Sequence, residues 1–229
     1  MSNYQGETLG VPVSLEDIKK SYGVVSRFYV AVEAIFEKGV RRKGLQLLSV
    51  MPGEVVLEVG VGTGYALREI ASSVGENGKA YGIDITPQML EITRKRLKKA
   101  GLMERVELYE GDAKSMPYED SKFDAVYTAS TLELFDTPDI PTVLNEVKRV
   151  LKPTGRLGVA SLTKKGKEGS LFIRFYEWLH QRIPKYANCR PIYLEKSVED
   201  AGYQIIKSEE FTLLKIVPWR IIVARPLTN

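Results

Sequence analysis

The chain has 229 residues, 44% of them hydrophobic and 27% charged, with a formal net charge of +4. That is ordinary globular usage for one domain with a generous periphery, and it excludes a chain disordered throughout. No apolar run approaches the ~20 residues that span a bilayer. The charge is too small and too dispersed to imply a nucleic-acid partner, and none is expected. One cysteine, Cys189, and one histidine, His180, leave no intramolecular disulfide and no metal site to expect, and make a Ser-His-Asp nucleophile improbable. Residues 1–7 lack a basic stretch followed by an apolar one, so no secretory signal is expected and the cytoplasm is the default compartment.

In chain order, residues 1–50 read as a largely helical cap. Apolar runs then alternate with helical patterns, the signature of βαβ units and a mostly parallel sheet. A Pro52-Gly53 turn leads into a strand over 54–59, a loop over 60–64 and a helix over 65–74. The second strand spans 79–84. Thr86 is the expected N-cap of the next helix and Pro87 its first residue, with Met89, Leu90, Thr93, Leu97 and Ala100 on one face and Gly101 ending it. Strands follow over 105–110 and 123–128. A helix over 140–151 is closed by Lys152-Pro153-Thr154-Gly155 before a strand over 156–160. The tail, 203–209 and 219–224, reads as a hairpin at the sheet edge. Residues 161–200 interrupt the alternation with a basic, aromatic insertion in which Phe172, Phe175, Tyr176 and Leu179 share one helical stripe. Cap and insertion lack the apolar residues for cores of their own and are expected to fold over one end of a core spanning 51–229. In open α/β sheets that end is where ligands bind, outside the carboxyl ends of the strands.

The strongest motif is Val55-Val56-Leu57-Glu58-Val59-Gly60-Val61-Gly62-Thr63-Gly64-Tyr65. A buried strand runs straight into three alternate glycines, which permit positive φ and let a ligand approach the backbone. A dinucleotide fingerprint would be G-x-G-x-x-G, whereas Tyr65 stands where its last glycine belongs. No nearby arginine or lysine favours a pyrophosphate, and a P-loop ending is absent. The pattern fits a nucleoside carrying an amino-acid tail. Asp84, ending the second strand, is placed to accept from ribose hydroxyls. After the third strand, Glu110-Gly111-Asp112-Ala113 offers a carboxylate and a backbone N–H to an adenine edge. The run Arg94-Lys95-Arg96-Leu97-Lys98-Lys99 reads as a solvated helix face.

These motifs, with Gly82-Ile83-Asp84, Phe123-Asp124-Ala125-Val126-Tyr127 and Leu151-Lys152-Pro153-Thr154-Gly155-Arg156-Leu157, resemble the class I S-adenosylmethionine (SAM)-dependent methyltransferases over residues ~50–160. The resemblance implies a Rossmann-like α/β fold: a seven-stranded, mostly parallel sheet with helices on both faces and an antiparallel last strand. It implies SAM as cofactor. Gly60, Gly62 and Gly64 would face its methionine portion, with Glu58 organising the loop. Asp84 would hold the ribose, Ile85 and Met89 would flank the adenine, and Asp112 and Ala113 would bind its edge. Ala129 and Ser130 would lie near the transferring methyl.

Within the class, the helical lead-in (Ser21-Tyr22, Phe28-Tyr29), the Met116-Pro117-Tyr118 turn and Cys189-Arg190-Pro191-Ile192 are similar to the ubiquinone/menaquinone C-methyltransferase group and its phosphatidylethanolamine-methylating relatives. Quinone enzymes of the group carry Gly-Leu-Arg-Asn after the fourth strand, where this chain reads Thr131-Leu132-Glu133-Leu134. Glu133 would suit an amine-bearing acceptor such as a lipid head group, since a carboxylate stabilises ammonium charge. The expected activity is methyl transfer to a small or lipid-like amphipathic acceptor. A quinone precursor is the alternative acceptor, and a non-catalytic SAM-binding or membrane-surface module the alternative of another class. Glu133 and Tyr29 are the candidate general bases. The insertion is expected to be a lid over the acceptor, and its aromatic stripe with basic flanks also suits peripheral contact with the inner membrane surface.

Overall fold

The structure, a computed structural model, describes residues 38–182, 189–213 and 216–227. Of the N-terminal cap only its end falls within them, and Tyr22 and Tyr29 lie outside. Seven strands form one sheet: β1 (Val55–Val59), β2 (Lys79–Asp84), β3 (Val106–Glu110), β4 (Phe123–Ala129), β5 (Leu151–Leu162), β6 (Tyr203–Leu213) and β7 (Val217–Pro226). Their spatial order is β3-β2-β1-β4-β5-β7-β6. Neighbours pair in parallel from β3 through to β5, and β7 runs antiparallel to both β5 and β6. This is the expected Rossmann-like sheet with its antiparallel last strand.

The strand sequences explain the layering. A parallel strand covered on both faces reads as a continuous apolar run, and Val56, Leu57, Val59, Ala125, Val126, Tyr127, Leu157, Val159 and Ala160 are all buried. On one face, α1 (Lys38–Leu48), α2 (Tyr65–Ser73) and α3 (Pro87–Lys99) enclose Leu67, Ile70, Leu97 and Tyr127. On the other, α4 (Asp139–Val150) and α6 (Leu194–Asp200) enclose Val143, Leu144, Val147, Leu194, Val198 and Tyr203. Chain order reverses between β1 and β4, so a crevice opens past their carboxyl ends, where ligands of such sheets bind.

Three local expectations are revised. Lys152–Gly155 does not separate α4 from the next strand. β5 begins at Leu151 and the four residues form an irregularity, the register jumping from Phe123–Leu151 to Ala125–Arg156. Thr86 makes no side-chain cap; it is buried, and its own N–H donates to Asp84 while its carbonyl accepts from Met89 and Leu90. The insertion is divided. Its first residues extend β5 to Leu162, Thr163 bridges Ile192, and α6 belongs to the core, which leaves α5 (Leu171–Arg182) as its distinct element. On α5 the buried residues are Ile173 and His180, whereas Phe175 of the expected stripe faces solvent.

α1 carries three consecutive basic residues, Arg41, Arg42 and Lys43, yet it is fixed firmly. Arg156 of β5 donates through Nε to the Leu48 carbonyl (2.6 Å) and through Nη2 to that of Ser49 (2.7 Å), satisfying carbonyls that a helix end leaves unpaired. The same guanidinium grips Glu54 bidentately, both contacts 2.8 Å. Tyr127 of β4 donates to the Arg41 carbonyl (3.2 Å), and a Cβ on Gly44 would collide with that tyrosine. A glycine inside a helix costs about 1 kcal/mol relative to alanine, and here it permits the close approach that brings Arg41 to the crevice.

Candidate active site

The loop after β1 is built around three glycines with left-handed backbone, Gly60 (φ 75°), Gly62 (φ 49°) and Gly64 (φ 76°). Gly60 N–H donates to Ile83 (2.8 Å) and Gly64 N–H to Val61 (2.8 Å), which fixes the turn into α2. Neighbours press on it from both sides. A Cβ on Gly60 would come within 2.6 Å of Thr131 Cγ2, and one on Gly64 within 2.6 Å of Thr93 Cγ2 and Oγ1. Thr93 Oγ1 donates to the Gly62 carbonyl (2.9 Å). Arg96 lies over the Tyr65 ring, 3.4 Å from its centroid, and donates to the Thr63 carbonyl. One member of the expected solvated basic run thus ties α3 to the glycine loop.

Asp84 links this loop to the end of β2. Its Oδ2 accepts from Gly62 N–H and its Oδ1 from Thr86 N–H, both at 2.9 Å. Gly111 N–H donates to the Asp84 carbonyl (3.1 Å), and Asp112 Oδ1 accepts from Lys114 N–H (2.9 Å) in the turn after β3. Ser130, just past β4, holds a left-handed conformation (φ 55°) that non-glycine residues rarely adopt, and its N–H donates to Ala160 (2.9 Å). Thr131 Oγ1 donates back to the Ala129 carbonyl (3.0 Å).

Together these turns line a cleft that is open to solvent at its mouth. Every cofactor residue expected from the sequence lines it except Glu58 and Gly64: Gly60, Gly62, Asp84, Ile85, Met89, Asp112, Ala113, Ala129 and Ser130 are all there. Glu58 is buried near the end of β1, between Gly82 and Tyr127 on the flanking strands, and Gly64 caps α2. The sequence did not point to Thr131, Leu134 and Phe135, which form an apolar shoulder, or to Arg41. A basic group does therefore reach the cleft. Its signal was the glycine pair Gly39 and Gly44 within a charged helix, a spacing that only close packing justifies.

The donor set suits a particular ligand. Two carboxylates, Asp84 and Asp112, line a cleft whose cradle is too tight for a Cβ at Gly60, and they favour hydroxyl and amine donors over phosphates. Arg41 can meet a carboxylate, and Ile85, Met89 and Ala113 can enclose an apolar ring system. The residues fit SAM.

A methyltransferase-domain family profile matches residues 56–155. The chain is 31% identical over 195 residues to a demethylmenaquinone methyltransferase of Bacillus cytotoxicus, an alignment covering 76% of this chain and 80% of that protein. It is 35% identical over 123 residues to the protein of the same name from Lactobacillus johnsonii, covering 54% of this chain but only half of that one. Among solved structures, a SAM-dependent methyltransferase from Aquifex aeolicus superposes with a TM-score of 0.61 at 24% identity, over 92% of this chain and 98% of the other. The chain belongs to the class I SAM-dependent methyltransferases, in the quinone C-methyltransferase-like group.

In this methyltransferase the turn after β4 is clamped from behind. Glu133 is 0% exposed and is not among the residues lining the cleft. Its Oε2 accepts from Ser161 Oγ (2.8 Å) and its Oε1 from Leu162 N–H (3.4 Å), which pins the turn to the end of β5. Arg190, 1% exposed, donates to the Glu133 carbonyl (3.1 Å) and to Thr137 Oγ1 (3.0 Å). Burial pushes the Arg190 guanidinium below its ordinary value, with Asp136 and Glu133 working against the shift. An arginine from the segment before α6 thus reaches the turn after β4. Among the described residues no group of His, Cys, Asp and Glu could hold a metal ion, and no helix is long and apolar enough to cross a membrane.

Proposed function

We propose that this methyltransferase places the methyl group of SAM on a ring carbon of a quinone precursor, of the kind named for its Bacillus and Lactobacillus relatives. The observation that carries this reading is the 80% coverage of the B. cytotoxicus protein by a chain whose cleft has an apolar shoulder, Leu134 and Phe135, beside Ala129 and Ser130. A lipid head-group amine finds no comparable support. The carboxylate expected to pair with its ammonium, Glu133, is enclosed away from the cleft and committed to Ser161 and Leu162.

SAM supplies, when bound, a methyl group on a sulfonium, which is already a good leaving group. Transfer would break the methyl–sulfur bond, leaving a neutral thioether, and the ring carbon would then give up its hydrogen as a proton to solvent. The protein's task is thus alignment of two reactants and exclusion of water during the transfer, effects worth about 7–11 kcal/mol when geometry is optimal. Asp84 would hold the ribose while its bond to Gly62 N–H sets the loop. Asp112 and Ala113 would take the adenine edge, and Arg41 the carboxylate of the methionine tail. Leu134 and Phe135 would cover the acceptor ring and keep water out. Glu133 and Arg190 would act as positioning residues, holding the shoulder in place. An apolar acceptor of this kind resides in a bilayer, so the protein would work at the membrane surface.

The test is methyl transfer from radiolabelled SAM with two acceptors offered separately, a demethylated isoprenoid naphthoquinol and phosphatidylethanolamine. Label in the quinol alone supports the proposal. Label in phosphatidylethanolamine, or in neither, contradicts it.

A further inference from the structure

Helix α5 is apolar on opposite sides. At 100° per residue, Ile173, Tyr176 and His180 fall within a 60° arc, and Ile173 and His180 are buried. Diametrically opposite lie Leu171 (82% exposed), Phe175 (58%) and Trp178 (51%). Phe175 and Trp178 stack on each other with ring centroids 5.9 Å apart, so they present one flat aromatic surface to solvent. Exposed side chains of this size in a contiguous group mark an interaction site. Arg174 and Arg182, both exposed, fall on the same 100° arc, and neither forms an ion pair among the described residues. No acidic residue of α5 shares that arc. Its one carboxylate, Glu177, points elsewhere and pairs with Lys164 (3.3 Å).

A helix face combining a Trp, a Phe and a Leu with two unneutralised arginines and no acid is complementary to an apolar medium topped by negative charge. α5 also follows the carboxyl end of β5, the same edge of the sheet onto which the cleft opens. We infer that the Leu171–Phe175–Trp178 face of α5 is a docking surface for an anionic lipid bilayer, seating the protein with its cleft near the membrane. The inference agrees with a bilayer-resident acceptor, but it stands on the exposed face and its charge and is tested without any acceptor.

The full chain is mixed with vesicles of phosphatidylcholine alone or with phosphatidylglycerol, without SAM or quinol. Expected is co-sedimentation with the anionic vesicles, accompanied by a blue shift of tryptophan emission that Trp178→Phe removes, since the other tryptophan, Trp219, is already buried. Phe175→Ser/Trp178→Ser should weaken vesicle binding tenfold or more. Arg174→Gln/Arg182→Gln should abolish the preference for anionic lipid. SAM affinity measured by calorimetry should stay unchanged in both, showing that the variants are folded. Binding to neither vesicle, or equal binding by Phe175→Ser/Trp178→Ser, overturns the inference. So does a wild-type dimer that becomes monomeric in Phe175→Ser/Trp178→Ser, which would give this face to a second copy of the chain. No vesicle binding by the wild-type chain, with its quinol methylation in detergent intact, would sink the docking surface and spare the proposed reaction; vesicle binding by a chain that does not methylate the quinol would do the opposite.

Discussion

Gly60→Ala is the sharpest perturbation of the cofactor cradle, because two separable costs act at one atom. The first is the backbone. Gly60 sits at φ 75°, where an L-residue is less favourable by about 1–2 kcal/mol. The second is steric. The new Cβ would lie 2.6 Å from Thr131 Cγ2 and nearer still to its hydroxyl, and Thr131 is itself held by the Ala129 carbonyl. Overpacking of this kind costs about 1–3 kcal/mol. Together they amount to about 2–5 kcal/mol, expressed as a mixture of lost stability and lost SAM affinity. Thr131→Ala in the same chain removes the two closest atoms and leaves only Cβ, 3.0 Å from the new methyl. The double variant should therefore recover the steric part and retain the backbone part. Thermal unfolding and calorimetric titration with SAM, run on wild type, both single variants and the double, separate the two. A Gly60→Ala protein with wild-type melting temperature and SAM affinity would refute the reasoning. A double variant no better than Gly60→Ala would show that Thr131 is not the obstacle.

Other consequences reach beyond the cradle. Arg156→Ala removes the bidentate grip on Glu54 and the cap on α1 at once; a loss of about 3 kcal/mol is expected, read as a melting temperature lower by about 6–12 °C, with Arg156→Lys recovering little because it cannot make the forked contact. Burial works to raise the Asp124 carboxyl, but the Lys152 ammonium (2.6 Å) and Val55 N–H (2.9 Å) outweigh it and hold the group below the usual carboxylate range. Its contribution is thus present above the unfolded value of about 3.9 and lost as pH falls through the lower folded value. Asp124→Asn should be less stable than wild type at pH 7, and the gap in urea midpoints should close below about pH 4; a gap independent of pH would contradict the assignment. Glu133→Gln should lower the melting temperature while leaving the shape of the pH–rate profile intact, as befits a buried anchor. Loss of one limb of the profile, with kcat down a hundredfold or more, would instead make Glu133 the general base.

Much of this was legible in the sequence because the signals were local. The strand, glycine loop and helix between Val55 and Ser73 follow from a β-branched run, residues able to take positive φ, and helical periodicity, all within one stretch of chain. Asp84 was legible because it ends β2, and Asp112 because it lies in the turn just past β3, which pairs with β2. What the sequence hid is tertiary. Arg41 looks like any solvent-facing residue of a charged helix until Gly44 settles onto Tyr127 and turns it to the cleft. Glu133 follows a strand at an acceptor-facing position, yet the hydroxyl that claims it, Ser161, is 28 residues away. The Lys152–Gly155 segment carries breakers that normally end elements, and it stays within β5 because flanking residues still pair with β4. On α5 the aromatic pattern was visible, but which side would be covered was not: Ile173 and His180 are buried, and Phe175 and Trp178 are exposed.

The central claim is that SAM sits in the cleft beyond β1 and β4 with Asp84 on its ribose. Titrating the purified protein with SAM in a calorimeter, with NAD as a control and Asp84→Ala alongside, tests it most directly. The account predicts one site per chain for SAM, none for NAD, and an affinity lowered about a hundredfold in Asp84→Ala, the equivalent of two hydrogen bonds to a charged acceptor. Saturable binding of NAD in place of SAM, or SAM binding indifferent to Asp84→Ala, would contradict it.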